Sequence, residues 1–168
     1  FAKPDDELSI ALKEGFLQRN FQGYSTYADC DLVAIGVSSI GKIGSTYSQN
    51  ERDIDAYYAA LDAGHLPIMR GYQLNQDDIL RRNIIQDLMC RFSLDYQIYE
   101  SVFGIPFSRY FAAELEDMKQ LETLGLVRLK PHSLTVTPKG RFLIRNIAMV
   151  FDYHLRHKET KAKYSQTV

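Results

Sequence analysis

A chain of 168 residues with 45% hydrophobic and 24% charged content has the apolar material for one core, or one and a half, and is not disordered. Its net charge of −1 gives no overall field favouring nucleic acid or an anionic bilayer. No apolar run is long enough to span a membrane, and the start lacks a signal-peptide pattern.

Pro4, followed by Asp5, Asp6 and Glu7, predicts a helix start, since Pro fits the first turn and acids there complement the helix dipole. Leu8, Leu12 and Phe16 then recur at helical spacing, and the helix should end near residues 15–17. The stretch from Arg19 to Gly44 is the least helical in character. A polar, Tyr-rich loop leads into the apolar run Leu32–Val37, which reads as a buried strand, and Gly36, Gly41 and Gly44 mark sharp turns or close backbone approaches. Such a strand normally belongs to a larger sheet, and this chain offers few partners for it. Together with a first residue, Phe1, that is not Met, this is expected of the C-terminal piece of something larger. Asn50 is expected to cap a second helix, with Asp53 at its third position, an apolar face of Ile54, Tyr57, Tyr58 and Leu61, and a left-handed stop at Gly64. His65–Leu74 has no helical period and reads as an extended connector. The domain boundary is placed there, giving residues 1–70 and 71–168.

The second half is more regular. Asn75 caps a helix whose stripes Leu80, Ile84, Leu88 and Ile85, Met89, Phe92 predict burial over a wide arc. A shorter helix covers Tyr96–Phe103. Pro106 opens a longer one with Phe111, Leu115, Met118, Leu121 and Leu124 inward, ended by Gly125, with Leu126 folding back on Leu121. Two β-prone runs within Val127–Val136 signal a hairpin. Thr137-Pro138 starts a final helix with Leu143, Ile147, Val150 and Ile144, Ala148, Phe151, Leu155 along its broad apolar face. The basic tail from Arg156 to Val168 is expected to fray. Three helices, a hairpin and a closing helix make a mainly α fold with a small β component, in the winged-helix order. A DNA reader of this type inserts its third helix into the major groove. Here that helix carries Glu114, Glu116, Asp117 and Glu122 against Arg109 and Lys119, so a nucleic-acid partner is not expected. A non-catalytic winged-helix module binding protein or nucleic acid is the alternative function class.

Few residues carry chemistry by themselves. Gly36-Val37-Ser38-Ser39-Ile40-Gly41 misses the nucleophile-elbow spacing, and no His and acid are in view to activate Ser38. Asp29 and Asp31 flank Cys30 but lack a third metal ligand. The run Gly41–Gly44 lacks the spacing of a phosphate loop. His154 and His157 lie one turn apart in the basic tail and are expected to face solvent. Cys30 and Cys90 have no His or Cys at ligand spacing and read as two buried thiols of a cytoplasmic protein. Lys139 and Arg141 sit where cations oppose a helix dipole; either they merely solvate the helix end or, with Arg145, they face an acidic surface or an anion elsewhere in the full protein.

Four separated segments carry a family resemblance: Phe-Ala-Lys-Pro at 1–4, Arg-Asn-Phe-Gln-Gly-Tyr at 19–24, Gly-Val-Ser-Ser-Ile at 36–40 and Thr-Pro-Lys-Gly-Arg-Phe-Leu-Ile-Arg-Asn-Ile at 137–147. In this order they resemble the C-terminal portion of the oxygen-independent coproporphyrinogen III oxidases, radical S-adenosylmethionine enzymes of heme synthesis. The resemblance implies a full-length enzyme that uses a 4Fe-4S cluster and S-adenosylmethionine to convert two propionates of coproporphyrinogen III to vinyls. It implies that residues 1–70 are an end segment of a (β/α) barrel and the connector after it, with the chain's own N-terminal catalytic barrel as partner. It also implies that Gln22 and Ile40 line the site of a second S-adenosylmethionine. A carboxamide can donate and accept at once, and an isoleucine beside glycines offers a fixed apolar wall. The Cys-x3-Cys-x2-Cys ligand set of the cluster is missing from this chain, so the radical chemistry cannot start here, and the piece is expected to cap the site and exclude water.

Overall fold

The computed structural model describes residues 3–27 and 30–157, and the chain divides between Ile79 and Leu80 into two compact units. In the first unit, α1 (Glu7–Glu14) starts where Asp6 accepts from the Leu8 N–H at 2.9 Å and stops at Gly15, with φ of 81°. The N–H groups of Gly15, Phe16 and Leu17 all donate to the Ala11 carbonyl, so the chain wraps back over this small residue. The result corrects the expected stripe: Ala11 and Leu17 are buried, while Leu12 and Phe16 stay about 40% exposed. A short hairpin follows, β1 (Gln18–Asn20) and β2 (Gly23–Ser25), whose turn is Phe21-Gln22. Asn20 Oδ1 holds that turn, accepting from the N–H groups of Gln22 and Gly23 at 2.9 and 3.2 Å.

The run Leu32–Val37 is not a strand. Leu32 makes a single antiparallel bridge to Lys42, and Val33 and Ile35 are 68% and 83% exposed. Side chains, in place of a ladder, satisfy its backbone. Asn50 Nδ2 donates to the carbonyls of Ala34 and Gly36, and the Tyr57 hydroxyl accepts from the Gly36 N–H. The run lies hard against Gly41, where a Cβ would come within 2.9 Å of the Leu32 carbonyl oxygen. Asn50 is therefore a buried clamp, and the helix that it was expected to cap is capped by Asp53.

The sheet of this unit is antiparallel: β3 (Ile40–Ile43), β4 (Thr46–Asn50) and, after α2 (Ile54–Asp62), β5 (Ile68–Gln73), in the order β3-β4-β5. The stretch expected to be a connector is thus mostly an edge strand. Its Tyr72 and Arg70 face Tyr47 and Gln49 of β4 with the period-two spacing that a search for helical period does not detect.

The second unit begins at Leu80, one turn into α3 (Gln76–Arg91), whose cap lies in the first unit. Asn75 Oδ1 accepts from the Asp78 N–H at 2.9 Å and Asp78 returns the bond to the Asn75 N–H at 3.0 Å, a reciprocal cap. There follow β6 (Ser93–Asp95), α4 (Tyr96–Phe103), α5 (Phe107–Tyr110), α6 (Ala112–Thr123), β7 (Val127–Lys130) and β8 (Ser133–Val136), with strand order β6-β8-β7. This is the winged-helix order. The strand β6, absent from the expectation, is only three residues long. The expected stop at Gly125 is present, with the Leu126 N–H donating to the Leu121 carbonyl at 3.0 Å.

Leu80, Ile84 and Leu88 of α3 are buried with Phe107, Phe111, Met118, Leu134, Ile147 and Phe151. Tyr96 stacks on Phe107 at 4.3 Å, and Phe107, Phe111 and Phe151 pack in sequence. Each such ring contributes about 1.5–3 kcal/mol on burial. The final helix, expected to be continuous, is three pieces: α7 (Pro138–Arg141), α8 (Ile144–Met149) and α9 (Tyr153–Arg156). Asp152 accepts from the Leu155 N–H and restarts the chain as a cap, competing with helix continuation at that point. Ile147, Ala148 and Phe151 reach the core, whereas Phe142 and Leu143 are left exposed. Most of the tail expected to fray, 158–168, lies outside the described residues.

Candidate functional site

Antiparallel register sorts the side chains of the first unit's sheet. Ile40 pairs with Gln49, Lys42 with Tyr47, Tyr47 with Tyr72 and Gln49 with Arg70, so these residues share one face. On the opposite face lie Gly41 and Ser48, where the Leu32–Ala34 segment crosses. Above the first face, Phe21 stands edge-on to Tyr47, with ring centroids 5.3 Å apart and planes at 83°. Ile40, Phe21, Tyr47, Tyr72, Gln49 and Arg70 line a hollow of about 400 Å³.

The hollow is aromatic and aliphatic with one cation. Ile40 is half-buried in its wall. Gln22 is next to Phe21 in the β1–β2 turn, is exposed and does not line the hollow. The structure therefore places the two sequence-derived residues in one unit, with Ile40 and the neighbour of Gln22 in the same wall. The Tyr72 hydroxyl donates to Asp78 Oδ2 at 2.8 Å, and this bond, more than burial or the Asp78 charge, pushes the phenol above its usual range. Sequence reasoning missed Gln49, Arg70, Tyr47 and Tyr72. The signal was the alternation of polar and aromatic residues in Thr46–Asn50 and Ile68–Gln73.

The other candidates resolve as structural. Ser38 has φ of 59°, but its N–H donates to the Glu51 carbonyl and its carbonyl accepts from Gln49 Nε2. Asp31 Oδ1 accepts from the Gly44 N–H at 2.8 Å and closes the β3–β4 turn, while Asp29 lies outside the described residues. Among the described residues no three His, Cys, Asp or Glu side chains gather at metal-binding distance. Cys90 is buried as expected, but Cys30 is exposed. His154 and His157 are exposed, and Tyr153 stacks on the ring of His157 at 4.0 Å.

The oddly placed cations of α7 have partners within their own unit. Lys139 Nζ donates to the Leu124 carbonyl at 3.0 Å, at the C-terminal end of α6, where positive charge is favoured. The Arg141 guanidinium lies 4.5 Å from the Phe92 ring centre. Glu114 of α6 does not face outward. It is buried and pairs with Arg81 at 2.8 Å. The outer charge of α6 is therefore less acidic than its sequence suggested.

Residues 74–143 match the family described as the HemN C-terminal domain, which takes in most of the second unit, from α3 through the β7–β8 wing to α7. The whole chain is similar to longer proteins named oxygen-independent coproporphyrinogen III oxidase. It is 46% identical to that of Synechocystis sp., over all of this chain and 37% of that protein. It is 49% identical to that of Pseudomonas aeruginosa, over 92% of this chain and 34% of that protein. The solved structure of coproporphyrinogen III oxidase (HemN) from Escherichia coli, described as a radical SAM enzyme, matches with a TM-score of 0.89 and 45% identity, covering 92% of this chain and 36% of that one. Over nearly all of its length the chain is thus similar to proteins of the oxygen-independent coproporphyrinogen III oxidase family, and its residues 74–143 match the HemN C-terminal domain. It spans about a third of the length of these relatives and corresponds to their C-terminal part.

Proposed function

We infer that this chain forms one wall and the cap of the active site of an oxygen-independent coproporphyrinogen III oxidase. That enzyme removes two propionate carboxyls from coproporphyrinogen III and leaves vinyl groups, giving protoporphyrinogen IX. The observation that supports the reading best is the hollow beside Ile40. It has aromatic and aliphatic walls, one guanidinium, and no paired acid and base that could run chemistry unaided. Such a surface binds and shields a ligand.

The described residues do not fit an iron–sulfur cluster, since the two cysteines, one exposed and one buried, belong to different units and no group of three ligating side chains includes either. Cluster ligation therefore belongs to a catalytic barrel supplied by the rest of the polypeptide, with residues 1–70 as the end segment of that barrel and its connector. On this reading the hollow takes the second S-adenosylmethionine: Ile40 would wall it, and the exposed Gln22 carboxamide, next to Phe21 but outside the lining, would hydrogen-bond at its edge. The sequence-level boundary near residue 70 lies a few residues before the compact-unit division at Ile79/Leu80. Apolar residues on the first unit, among them Val33, Ile35 and Leu66, are 68–83% exposed, and α2 buries none of its residues. A surface of this kind is what the catalytic barrel would cover. Among the described residues no helix is long and apolar enough to cross a membrane, and the proposed setting is the cytoplasm.

The test uses the full-length enzyme with Ile40→Asp, assayed anaerobically for protoporphyrinogen IX formation and for S-adenosylmethionine binding. A charge against the cofactor should abolish turnover and weaken that binding with the fold intact. Wild-type turnover and binding in the variant would refute the assignment.

A further inference from the structure

One amide oxygen at the rim of the hollow collects an unusual set of donors. Arg70 Nε and Nη2 donate to Gln49 Oε1 at 3.0 and 2.7 Å, and Arg52 Nη2 sits 3.5 Å from the same oxygen. The amide orientation is set from its other side, because Gln49 Nε2 donates to the Ser38 carbonyl at 3.2 Å. Two guanidinium groups therefore converge on a neutral atom. Neither has an ion-pair partner among the described residues, and no carboxylate lines the hollow. The nearby Asp78 is bound to the Tyr72 hydroxyl and the Asn75 N–H, and Asp53 is committed to capping α2.

This is the electrostatic layout of an anion site. A guanidinium presents five donors in a fixed plane, and Arg70 spends only two of them on Gln49. Its side edge, the one that grips carboxylates in a two-point fork, is held in place by a neutral oxygen that does not cancel its charge. Beside it, Ile40, Phe21, Tyr47 and Tyr72 offer apolar contact for the body of the same ligand. We propose that Arg70, held by Gln49 and reinforced by Arg52, is the carboxylate anchor of this hollow. Its ligand is an organic anion with an apolar or aromatic body. The inference rests on the active-site reading above, under which the carboxylate comes from one of two sources: the amino-acid end of S-adenosylmethionine or a propionate of the porphyrinogen.

The experiment uses full-length enzyme carrying Arg70→Gln, Arg70→Lys or Arg52→Gln. Dissociation constants are measured for S-adenosylmethionine and for coproporphyrin III, with melting temperature as the folding control. Arg70→Gln should weaken one of the two ligands at least ~10-fold, Arg70→Lys should recover part of the loss, and Arg52→Gln should give a smaller effect on the same ligand. Which ligand responds identifies the source of the carboxylate. Both constants within about twofold of wild type in a folded Arg70→Gln or Arg70→Lys protein would overturn the anchor. Loss of turnover in Ile40→Asp alongside that result would leave the active-site reading standing. A fully active Ile40→Asp would remove that reading itself.

Discussion

Gly140 occupies the first turn of α7 with ordinary helical backbone, so a propensity argument alone says that Gly140→Ala should stabilise the chain by ~1 kcal/mol. The structure says the opposite. A Cβ at this position would lie 2.0 Å from the Leu126 carbonyl oxygen and 2.9 Å from both the Leu126 carbonyl carbon and Val136 Cγ1. Backbone cannot rotate out of the way as a side-chain tip can, so α7 must withdraw from the Leu126–Thr137 corner. Several bonds meet there. The Thr137 N–H donates to the Leu126 carbonyl, the Thr137 hydroxyl donates to the Gly125 carbonyl, and the Thr137 Oγ1 atom accepts from the Gly140 N–H. Overpacking costs ~1–3 kcal/mol and a weakened cap ~0.5–2 kcal/mol, so after the propensity gain the net loss is about 0.5–4 kcal/mol. For a chain of this length that lowers Tm by about 1–16 °C, read by thermal denaturation followed by far-ultraviolet circular dichroism. Gly104 is the internal control. It has φ of 65° but nothing within 4 Å of the point where a Cβ would stand, so Gly104→Ala carries only conformational strain of ~1 kcal/mol. Melting should fall in the order wild type, Gly104→Ala, Gly140→Ala. A Gly140→Ala protein that melts at or above wild type would refute the close-approach argument.

The buried pair Arg81–Glu114 makes a second prediction: Glu114→Gln removes the carboxylate charge 2.8 Å from Arg81, which keeps its bond to the Phe151 carbonyl, and should cost about 1–3 kcal/mol in urea denaturation, whereas the double variant Arg81→Met/Glu114→Leu should cost less than the single one. A double variant less stable than Glu114→Gln would sink it. The third concerns alkaline pH. Burial and then the Glu122 charge push the Tyr96 phenol up to about 12, against an ordinary value of 10. Its stabilising effect is therefore complete below the unfolded value and is lost as pH rises through the folded one. Tyr99, raised by burial and its hydrogen bond to Asp87, acts in the same direction. Between about pH 9 and pH 11, Tyr96→Phe should lose less unfolding free energy than wild type, and equal losses would contradict the assignment.

The second unit was largely legible because its elements announce themselves locally. Asn75 and Thr137 cap, Gly104 and Gly125 stop helices at positive φ, and Leu80, Ile84 and Leu88 repeat along one face. What failed there was continuity. The break at Asp152 comes from an ordinary aspartate that becomes a cap only because Phe151 turns into the core. The three-residue β6 is too short for any period to show. In the first unit, local reading misplaced both the strand and the cap. Leu32–Val37 is as apolar as a buried strand, yet it makes only one bridge, since Asn50 supplies by side chain what a neighbouring strand would supply by backbone.

The contrast between the units bears on the candidate site. A polar side chain, Asn50, is buried in the first unit, while Val33 and Ile35, in the segment it clamps, remain in water. Selection for a self-contained core would have arranged these the other way round. The same holds for the sheet face, where Arg52 and Arg70 spend their donors on a neutral amide and not on a carboxylate of their own unit. Uncovered apolar surface is costly in isolation, the exposed guanidinium groups of Arg52 and Arg70 stay hydrated, and both become useful when a ligand and a catalytic body close over them. Of the positions at which local sequence rules fail in this unit, Gln49 and Arg70 line the hollow, while Asn50 clamps the segment of Ile35 that runs along the Gly41 side of the sheet. The failure at Gln49 and Arg70 is expected where residues serve a site that the unit only partly encloses.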